Sequence, residues 1–368
     1  MVNVHEQFMA DALRLAEKGL YTTDPNPRVG CVLVKQGQVI GRGWHQRAGE
    51  AHAEINALYE AGNEATGADC YVTLEPCSHF GRTPPCVDSL IRAGVARVFV
   101  AMQDPNPIVA GSGIALLQQA GIEVHTCILA DQAEKLNPGF CQRMRLGKPF
   151  VRSKIAMSLD GRTAMASGES KWITGPLARL DVQKLRARSS AILTGIGTIL
   201  ADDPMLNVRG TENFDWYPQN QAVRQPLRIV VDTDLRMPAN AQILKTGKVL
   251  LATAVDTPSH HDIETIVLPS LEHSIDLSAL MTVLAQREIN EVMVEAGAVL
   301  NGALLRSRLI DELVIYTAPK IMGNEARGAF ELPNMMTMAQ NIGLKITDMR
   351  SIGNDWRITA IPEYNEEF

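Results

Sequence analysis

The sequence predicts an α/β protein built from two domains, and three observations support the prediction. A chain of 368 residues is long for a single domain. Strand-like and helix-like patterns alternate in both halves, which is typical of a sheet layered between helices. A polar, basic passage at residues 137–148 interrupts the alternation. We therefore place the domains at residues 1–146 and 147–368.

The composition is that of an ordinary globular protein, with 46% hydrophobic and 21% charged residues. No apolar stretch approaches the roughly 18 residues of a membrane span, and the N-terminus lacks a signal-peptide pattern. We therefore expect a cytoplasmic protein that does not act at a membrane. The net charge of −6 argues against a nucleic-acid partner. Six cysteines are too few for a disulfide framework, so thiolate metal ligands in a reducing compartment are the better interpretation.

In the first block, apolar residues recur at helical spacing over residues 8–16 and predict an amphipathic helix. A β-hairpin follows, with its turn at Gln36-Gly37. The predicted elements after this helix are strands at 29–34, 39–43, 69–74, 97–102 and 122–126, and helices at 52–61, 84–93 and 113–120. This order predicts a three-layer α/β/α domain.

The second block opens with a strand and again alternates. Its predicted strands are 150–157, 191–194, 227–232, 248–252, 263–268, 291–295 and 312–317, and its predicted helices are 177–188, 277–287 and 299–307. Residues 210–225 are polar and aromatic, which favours a surface loop.

The clearest chemical signal is His52-Ala53-Glu54, followed by Pro76-Cys77 and Pro85-Cys86. One imidazole and two thiolates predict a zinc site with an open fourth position, which in catalytic sites holds water. Zinc can lower the pKa of that water to about 7, and Glu54 is placed to carry its proton. The alternative is that His52 is a hydrogen-bonded helix-start residue and both cysteines are structural. The joint occurrence of the three motifs disfavours that alternative.

This pattern resembles the cytidine deaminase superfamily, with one departure. Most members separate the cysteines by two residues, whereas eight separate Cys77 from Cys86. The long form Pro-Cys-Ser-His-x-Gly-Arg-Thr-Pro-Pro-Cys resembles the bifunctional deaminase/reductase family of riboflavin biosynthesis. The resemblance implies a cytidine-deaminase-like domain with one Zn²⁺ per chain. It also implies a small phosphorylated substrate, a diaminopyrimidinone that carries a ribosylamino 5′-phosphate.

Other residues of the first block are candidates for binding this substrate. Asn26 matches the asparagine with which superfamily members hold the substrate, although flanking prolines also make it a turn residue. His79 and Arg82 lie between the cysteines and are either substrate contacts or loop-structuring groups. The loop 104–107, followed by Gly111 and Gly113, opens a helix and is a candidate phosphate cradle.

The second block lacks a Gly-x-Gly-x-x-Gly fingerprint. Its opening strand followed by Ser-Leu-Asp-Gly-Arg at 158–162 resembles dihydrofolate reductase and its relatives, which implies a dihydrofolate-reductase-like α/β domain. A strand, a turn containing Gly297 and a helix then predict a pyrophosphate seat. The resemblance implies NADPH, although the sequence itself barely separates NADPH from NADH.

The family resemblance implies specific site residues in this domain. Those near the cofactor are Ala156, Trp172, Thr198, Asp202, Thr233, Gly297, Ala298, Val299, Leu300, Asn301, Gly302 and Ala303. Those near the sugar-phosphate substrate are Ser170, Arg186, Leu206, Arg209 and Glu295. Arg186 and Arg209 are suited to clamp a phosphate, and Lys154 and Asp202 are candidate catalytic groups that polarise the ribose.

The sequence therefore predicts a zinc deaminase joined to an NADPH reductase, and we expect a homo-oligomer with a dimer favoured. One alternative is a nucleoside or tRNA deaminase fused to an unrelated reductase, which the acidic charge and the long cysteine spacing disfavour. Another is a zinc-stabilised binding module without turnover. That alternative predicts a replaced Glu54, yet the glutamate is present.

Overall fold

The computed structural model describes residues 3–79, 84–107, 109–209, 216–217, 222–256, 263–271 and 274–364. The chain divides into two compact units, Met1–Gly147 and Lys148–Phe368. Within the described ranges, no helix is long and apolar enough to cross a membrane.

The first unit is built on a five-stranded sheet with the order β2-β1-β3-β4-β5. Its strands are β1 Gly30–Lys35, β2 Gln38–Trp44, β3 Asp69–Val72, β4 Arg97–Val100 and β5 Glu123–His125. Its helices are α1 Val4–Glu17, α2 Ala53–Ala61, α3 Cys86–Ala93, α4 Ser112–Gln119, α5 Ala130–Leu136 and α6 Pro138–Leu146. Strand β1 pairs antiparallel with β2 and β3, whereas β3, β4 and β5 are parallel.

Both faces of this sheet are covered by helices. Successive residues of β1 point to opposite faces, so Leu33 packs with α2, α3 and α4, while Val32 packs with α1, α5 and α6. Helix α1 lies so close to β1 that a Cβ at Gly30 would stand 1.9 Å from the Ala12 carbonyl oxygen. The predicted α/β class and three-layer arrangement are confirmed here.

The second unit is built on a nine-stranded sheet with the order β11-β10-β9-β8-β14-β6-β15-β18-β17. Its strands are β6 Phe150–Ser158, β7 Arg162–Ala164, β8 Ala191–Gly195, β9 Leu227–Val231, β10 Val249–Thr253, β11 Glu264–Val267, β12 Ser270–Leu271, β13 Ser274–Ile275, β14 Glu291–Val294, β15 Glu312–Ala318, β16 Arg327–Gly328, β17 Gly343–Ile352 and β18 Asp355–Glu363. Its helices are α7 Pro176–Arg188, α8 Ile196–Asp202, α9 Leu277–Gln286 and α10 Ala298–Arg306. The sheet is parallel from β11 to β15, and β18 and β17 add an antiparallel hairpin.

Helices also cover both faces of this parallel core. Helices α9 and α10 contribute to one buried apolar cluster, and α7 and α8 contribute to the other. Because the central strands are buried on both faces, their sequences are largely apolar. The carboxyl ends of these parallel strands meet at one edge of the sheet, which is where α/β proteins bind ligands.

The structure differs from the sequence-based prediction at residues 137–148, and it describes little of residues 210–225. The polar passage at 137–148 is helical rather than an irregular link: Pro138–Leu146 form α6, and its Phe140 and Cys141 pack into the first unit. Basic residues in the last turn of α6 stabilise the negative end of the helix dipole. The same residues make the sequence look polar, so its short apolar face was not recognised. The surface-loop prediction for 210–225 falls largely outside the described residues.

Candidate active sites

Three metal-ligating side chains converge in the first unit. His52 precedes α2, Cys77 follows β3 in a loop, and Cys86 is the first residue of α3. The His52 Nδ1 atom lies 3.6 Å from the Cys77 Sγ and 3.3 Å from the Cys86 Sγ. All three ligand atoms lie within 4.8 Å of one another. The fold therefore gathers the predicted ligands into one cluster.

The spacing of this cluster fits a zinc ion. Nitrogen and sulfur bind zinc at about 2.1 and 2.3 Å, so two ligands of a tetrahedron lie about 3.5 to 3.8 Å apart. Hydrogen bonding from Cys86 and from His52, acting against burial, lowers the pKa of Cys77 to about 4. The bond to Cys77 and burial raise the pKa of Cys86. Three protein ligands leave a fourth position for water, as in catalytic zinc sites.

Glu54 lies beside the ligand cluster without belonging to it. It stands in the first turn of α2, only 3% exposed, and hydrogen-bonds with Cys86. Its carboxylate is not part of the group of ligand atoms. Burial, followed by the negative charge at Cys77, raises the pKa of Glu54 to about 7. The Glu54 carboxyl group therefore lies next to the metal-ligating side chains without being one of them.

Asn26 is held near the cluster by a histidine that the sequence analysis did not select. The ring of His45 lies edge-on to that of His52, with centroids 5.3 Å apart. Its Nδ1–H donates to the Ala51 carbonyl at 3.1 Å, so its Nε2 accepts from the Asn26 amide at 3.0 Å. Among the described residues, none donates a hydrogen bond to the Asn26 Oδ1, which can therefore accept from a bound ring. The only sequence signal for His45 is its position after β2.

The remaining candidates of the first unit are placed differently. His79 is exposed, and Arg82 lies outside the described residues. The loop that includes Asp104 and Gly113 is not an open phosphate cradle. Its backbone N–H groups donate to the buried carboxylate of Glu75, which occupies the position proposed for a phosphate. Glu75 escaped notice because it belongs to no ligand motif.

The second unit contains a cavity of 1530 Å³ at the carboxyl ends of β6, β8, β9 and β14. Nearly all of the predicted reductase residues line it: Lys154, Ala156, Ser170, Trp172, Arg186, Thr198, Asp202, Leu206, Arg209, Thr233, Glu295, Gly297, Ala298, Val299, Leu300, Asn301 and Ala303. The tertiary structure thus brings together side chains separated by up to about 150 positions in the sequence.

A buried carboxylate organises the charges of this cavity. Glu295 accepts from the Arg186 Nε at 2.6 Å and from its Nη2 at 3.1 Å, and the Lys154 Nζ lies 3.2 Å away. Burial alone would raise the pKa of Glu295, but Arg186 and Lys154 outweigh it and hold the value at about 2. The bidentate face of Arg186 is therefore taken by Glu295, which the sequence analysis did not foresee.

Arg209 is the exposed cation at this end of the cavity. Its backbone N–H donates to the Gln183 Oε1 at 3.2 Å, and its guanidinium makes no side-chain hydrogen bond or ion pair with the described residues. Partial burial and the nearby Arg186 lower the pKa of Arg209. With Lys154 and Arg186, three cations face one carboxylate, so the local field favours an anion.

The cofactor candidates cluster at the start of α10 and along the opposite wall. Trp172 is 60% exposed, and the Arg179 guanidinium lies 4.5 Å from its ring centroid. Asp202 accepts from the Ser170 hydroxyl at 3.2 Å. The Asn301 side chain lines the cavity but bonds Ser153 and the Ala296 carbonyl, so it holds the turn before α10.

Gly302 is the one predicted reductase residue that does not line the cavity. A Cβ at this position would stand 2.0 Å from the Glu331 carbonyl oxygen. The glycine therefore permits close packing of α10 against the segment around Glu331 rather than contact with a cofactor.

Comparison with known proteins agrees with both sites. Residues 2–102 match the family model of the cytidine and deoxycytidylate deaminase zinc-binding region. Residues 149–358, more than half of the chain, match the model of the RibD C-terminal domain. The chain belongs to the RibD family. RibD proteins are bifunctional deaminases and reductases of riboflavin biosynthesis, so the predicted enzyme class and fold class are confirmed.

Full-length relatives and structures support this assignment. The riboflavin biosynthesis protein RibD of Escherichia coli is 51% identical over 357 residues, which cover 95% of this chain and 97% of that protein. The structure of Acinetobacter baumannii RibD superposes with a TM-score of 0.91 at 46% identity, covering 98% of this chain and 99% of that one. A Thermotoga maritima structure, described as a diaminohydroxyphosphoribosylaminopyrimidine deaminase/5-amino-6-(5-phosphoribosylamino)uracil reductase, superposes with a TM-score of 0.84. That chain is 31% identical, and the match covers 98% of this chain and 99% of that one.

Proposed function

We propose that this RibD protein carries out two steps on one phosphorylated pyrimidine. The residues 1–146 domain hydrolyses the exocyclic amine of 2,5-diamino-6-(5-phosphoribosylamino)pyrimidin-4(3H)-one and releases ammonia. The residues 147–368 domain then reduces the ribosyl chain of the product to ribityl with NADPH. The observation that carries the proposal is the three-ligand cluster with Glu54 beside it, in one chain with a cation-lined cavity.

In the first step, zinc held by His52, Cys77 and Cys86 would supply a water activated at neutral pH. Glu54 takes the proton of the attacking water and delivers it to the leaving amine, so that a C–N bond breaks as a C–O bond forms. Asn26 accepts from the ring through Oδ1 because His45 holds its amide nitrogen. His79 and Arg82, which lie between the cysteines in the sequence, are proposed contacts to the phosphate or the ring of the substrate.

In the second step, bound NADPH would supply a hydride for C1′ of the ribosyl group. The bond between C1′ and the ring oxygen breaks, and that oxygen takes a proton from solvent to become a hydroxyl. Arg209 anchors the substrate phosphate, with Lys154 and Arg186 adding positive charge, while Glu295 and Leu206 border the sugar. Ser170 and Asp202 form a hydrogen-bonded pair in the cavity. We assign Asp202 the role of polarising the ribose.

The same cavity provides a seat for the cofactor. Backbone N–H groups at Gly297, Ala298 and Val299 stand at the start of α10 and would hold the pyrophosphate. Trp172, with the Arg179 guanidinium over its ring, would form a flat wall for the nicotinamide. Ala156, Thr198, Thr233, Leu300 and Ala303 complete the lining.

The test is an assay of the purified chain with the diaminopyrimidinone phosphate, with and without NADPH. We expect ammonia release without NADPH, and NADPH oxidation only after deamination. Cytidine, adenosine and tRNA serve as competing substrates. Ammonia release from one of these, with none from the pyrimidine phosphate, would contradict the proposed substrate.

We further propose a homodimer formed through the β17–β18 hairpin. Its outer face presents Leu344, Ile346, Met349 and Trp356, each 44 to 58% exposed in the single chain, and β17 is an edge strand. Apolar patches of this kind mark interaction surfaces. Sedimentation should show a dimer that Ile346→Lys dissociates, whereas Tyr59→Lys, at an exposed position elsewhere, should not.

The working compartment proposed for this enzyme is the cytoplasm. All six cysteines are free, and two of them are required as metal thiolates. Thiolate ligands persist where the surroundings are reducing. Fractionation of cells that express the chain tests this proposal.

A further inference from the structure

Glu75, two residues before the ligand Cys77, has a buried side chain with an unusual set of partners. The residue is 6% exposed. Its Oε1 accepts from the Gly113 N–H at 2.9 Å and from the Ile114 N–H at 3.3 Å. Its Oε2 accepts from the Asp104 N–H at 3.1 Å and from the Gly111 N–H at 3.0 Å. Four backbone donors from one loop and the first turn of α4 thus converge on a single carboxylate.

The Glu75 carboxylate occupies the position that a bound anion would take beside these N–H groups. Converging N–H groups at a helix N-terminus favour negative charge. Here the chain supplies that charge itself, so the N–H groups of Asp104, Gly111, Gly113 and Ile114 are satisfied without any ligand. The substrate phosphate therefore has to be bound elsewhere.

The same contact reaches the zinc ligand through the backbone. The Glu75 N–H donates to the Met102 carbonyl at 3.0 Å. A Cβ at Gly113 would stand only 2.1 Å from the Pro76 carbonyl oxygen, so α4 abuts the residue that precedes Cys77. On the other side, the Cys77 Sγ accepts from the Cys86 N–H at 3.3 Å. Cys77 is thus held on one side by the hydrogen-bonded Glu75 and on the other by the N-terminus of α3.

We propose that Glu75 is a positioning residue of the metal centre. By accepting from the Asp104 N–H and from the N–H groups at the start of α4, it fixes Pro76 and thereby holds the Cys77 sulfur at its ligand position. This inference rests on the proposed function in one respect, that His52, Cys77 and Cys86 hold zinc. Supporting residues outside the ligand set typically change metal affinity or activity by about 10 to 100-fold.

The test compares Glu75→Gln with Glu64→Gln, a matched change at an exposed position of the same unit. Glutamine keeps the shape but turns an NH₂ group toward N–H donors. We expect zinc affinity, measured by competition with a chelator, to fall about 10 to 100-fold. The visible spectrum of the cobalt-substituted protein should shift, and kcat for ammonia release should fall more than KM rises. Glu64→Gln should match the wild-type protein in all three measurements.

Gly113→Ala places a methyl group against the Pro76 carbonyl oxygen. It should therefore disturb the position of Cys77 and cause the same loss of zinc affinity. Trp44 fluorescence, measured in a Trp172→Phe, Trp216→Phe, Trp356→Phe background, reports whether the first unit of each variant is folded. Glu75→Gln with wild-type zinc affinity, cobalt spectrum and ammonia release would overturn the inference. A wild-type protein that binds zinc but releases no ammonia contradicts the proposed function alone, because the metal measurements still test Glu75.

Discussion

At the scale of single residues, the proposed mechanism assigns metal binding and proton transfer to different side chains. His52, Cys77 and Cys86 supply the ligand atoms, while Glu54 is buried beside them and outside the ligand group. We expect Glu54→Gln to retain zinc and to lose ammonia release by at least 10² to 10⁴-fold, the usual contribution of general acid–base catalysis. Metal analysis and an ammonia assay on the same preparation check this. Zinc content that falls in step with activity would make Glu54 a ligand.

Removal of a ligand should have a different outcome. With Cys86→Ala only two protein ligands remain, which rarely hold zinc tightly. We expect metal content and ammonia release to be lost together. The exposed Cys127→Ala is the matched control and should keep both. A Cys86→Ala protein with full zinc and full turnover would show that the long cysteine spacing has no role in the site.

In the second unit, Glu295 makes stability depend on pH. Its pKa is about 2 in the folded protein against an ordinary value of 4.5, so its ionised form stabilises the fold above about pH 4.5. That contribution, on the order of 3 kcal/mol, is lost as the pH falls from 4.5 toward 2. Glu295→Gln should therefore be less stable than wild type at pH 7, with the difference narrowing below pH 4.5.

Urea unfolding at several pH values measures this difference. Tryptophan fluorescence reports mainly on the second unit, since Trp172, Trp216 and Trp356 lie in it and only Trp44 lies in the first. Glu325→Gln, at an exposed position, is the control. A wild-type advantage that is constant across the whole pH range would rule out the ion-paired state of Glu295.

At the scale of elements, the packing of helix α10 positions the N–H groups proposed to bind the cofactor. Gly302 lets α10 pack against the Glu331 backbone, with no room for a Cβ. Gly302→Ala should displace α10 and raise the Kd for NADPH, because the N–H groups at Gly297 move with the helix. Fluorescence titration of NADPH measures the change. Zinc content and ammonia release belong to the other unit and should remain as in wild type.

At the scale of the whole molecule, we expect the two compact units to carry out their reactions independently. Glu54→Gln should still oxidise NADPH when given the already deaminated pyrimidine phosphate. Conversely, Asp202→Ala combined with Arg209→Ala should release ammonia normally and leave NADPH unchanged. Assay of both reactions on each variant tests this independence. A folded Glu54→Gln protein that binds NADPH but cannot reduce the deaminated substrate would indicate one composite site.

The sequence alone determined the class, most of the helices and strands, and the zinc ligands, because these depend on local periodicity and on motifs only a few residues long. His52 and Glu54 are two positions apart, and the two Pro-Cys steps stand close together. The C-terminal hairpin was missed, because β17 is exposed on nearly all of its length and lacks the alternation that reveals a half-buried strand.

Only the tertiary structure decided which polar groups meet. Glu75 bonds N–H groups about 30 to 40 positions away, and Glu295 pairs with Arg186 and Lys154 more than 100 positions earlier. Gly302 proved to be a packing residue, and Arg186 proved to be bound by Glu295. A sequence pattern records spacing along the chain, whereas these contacts are set by strands that bring distant residues to one edge of a sheet.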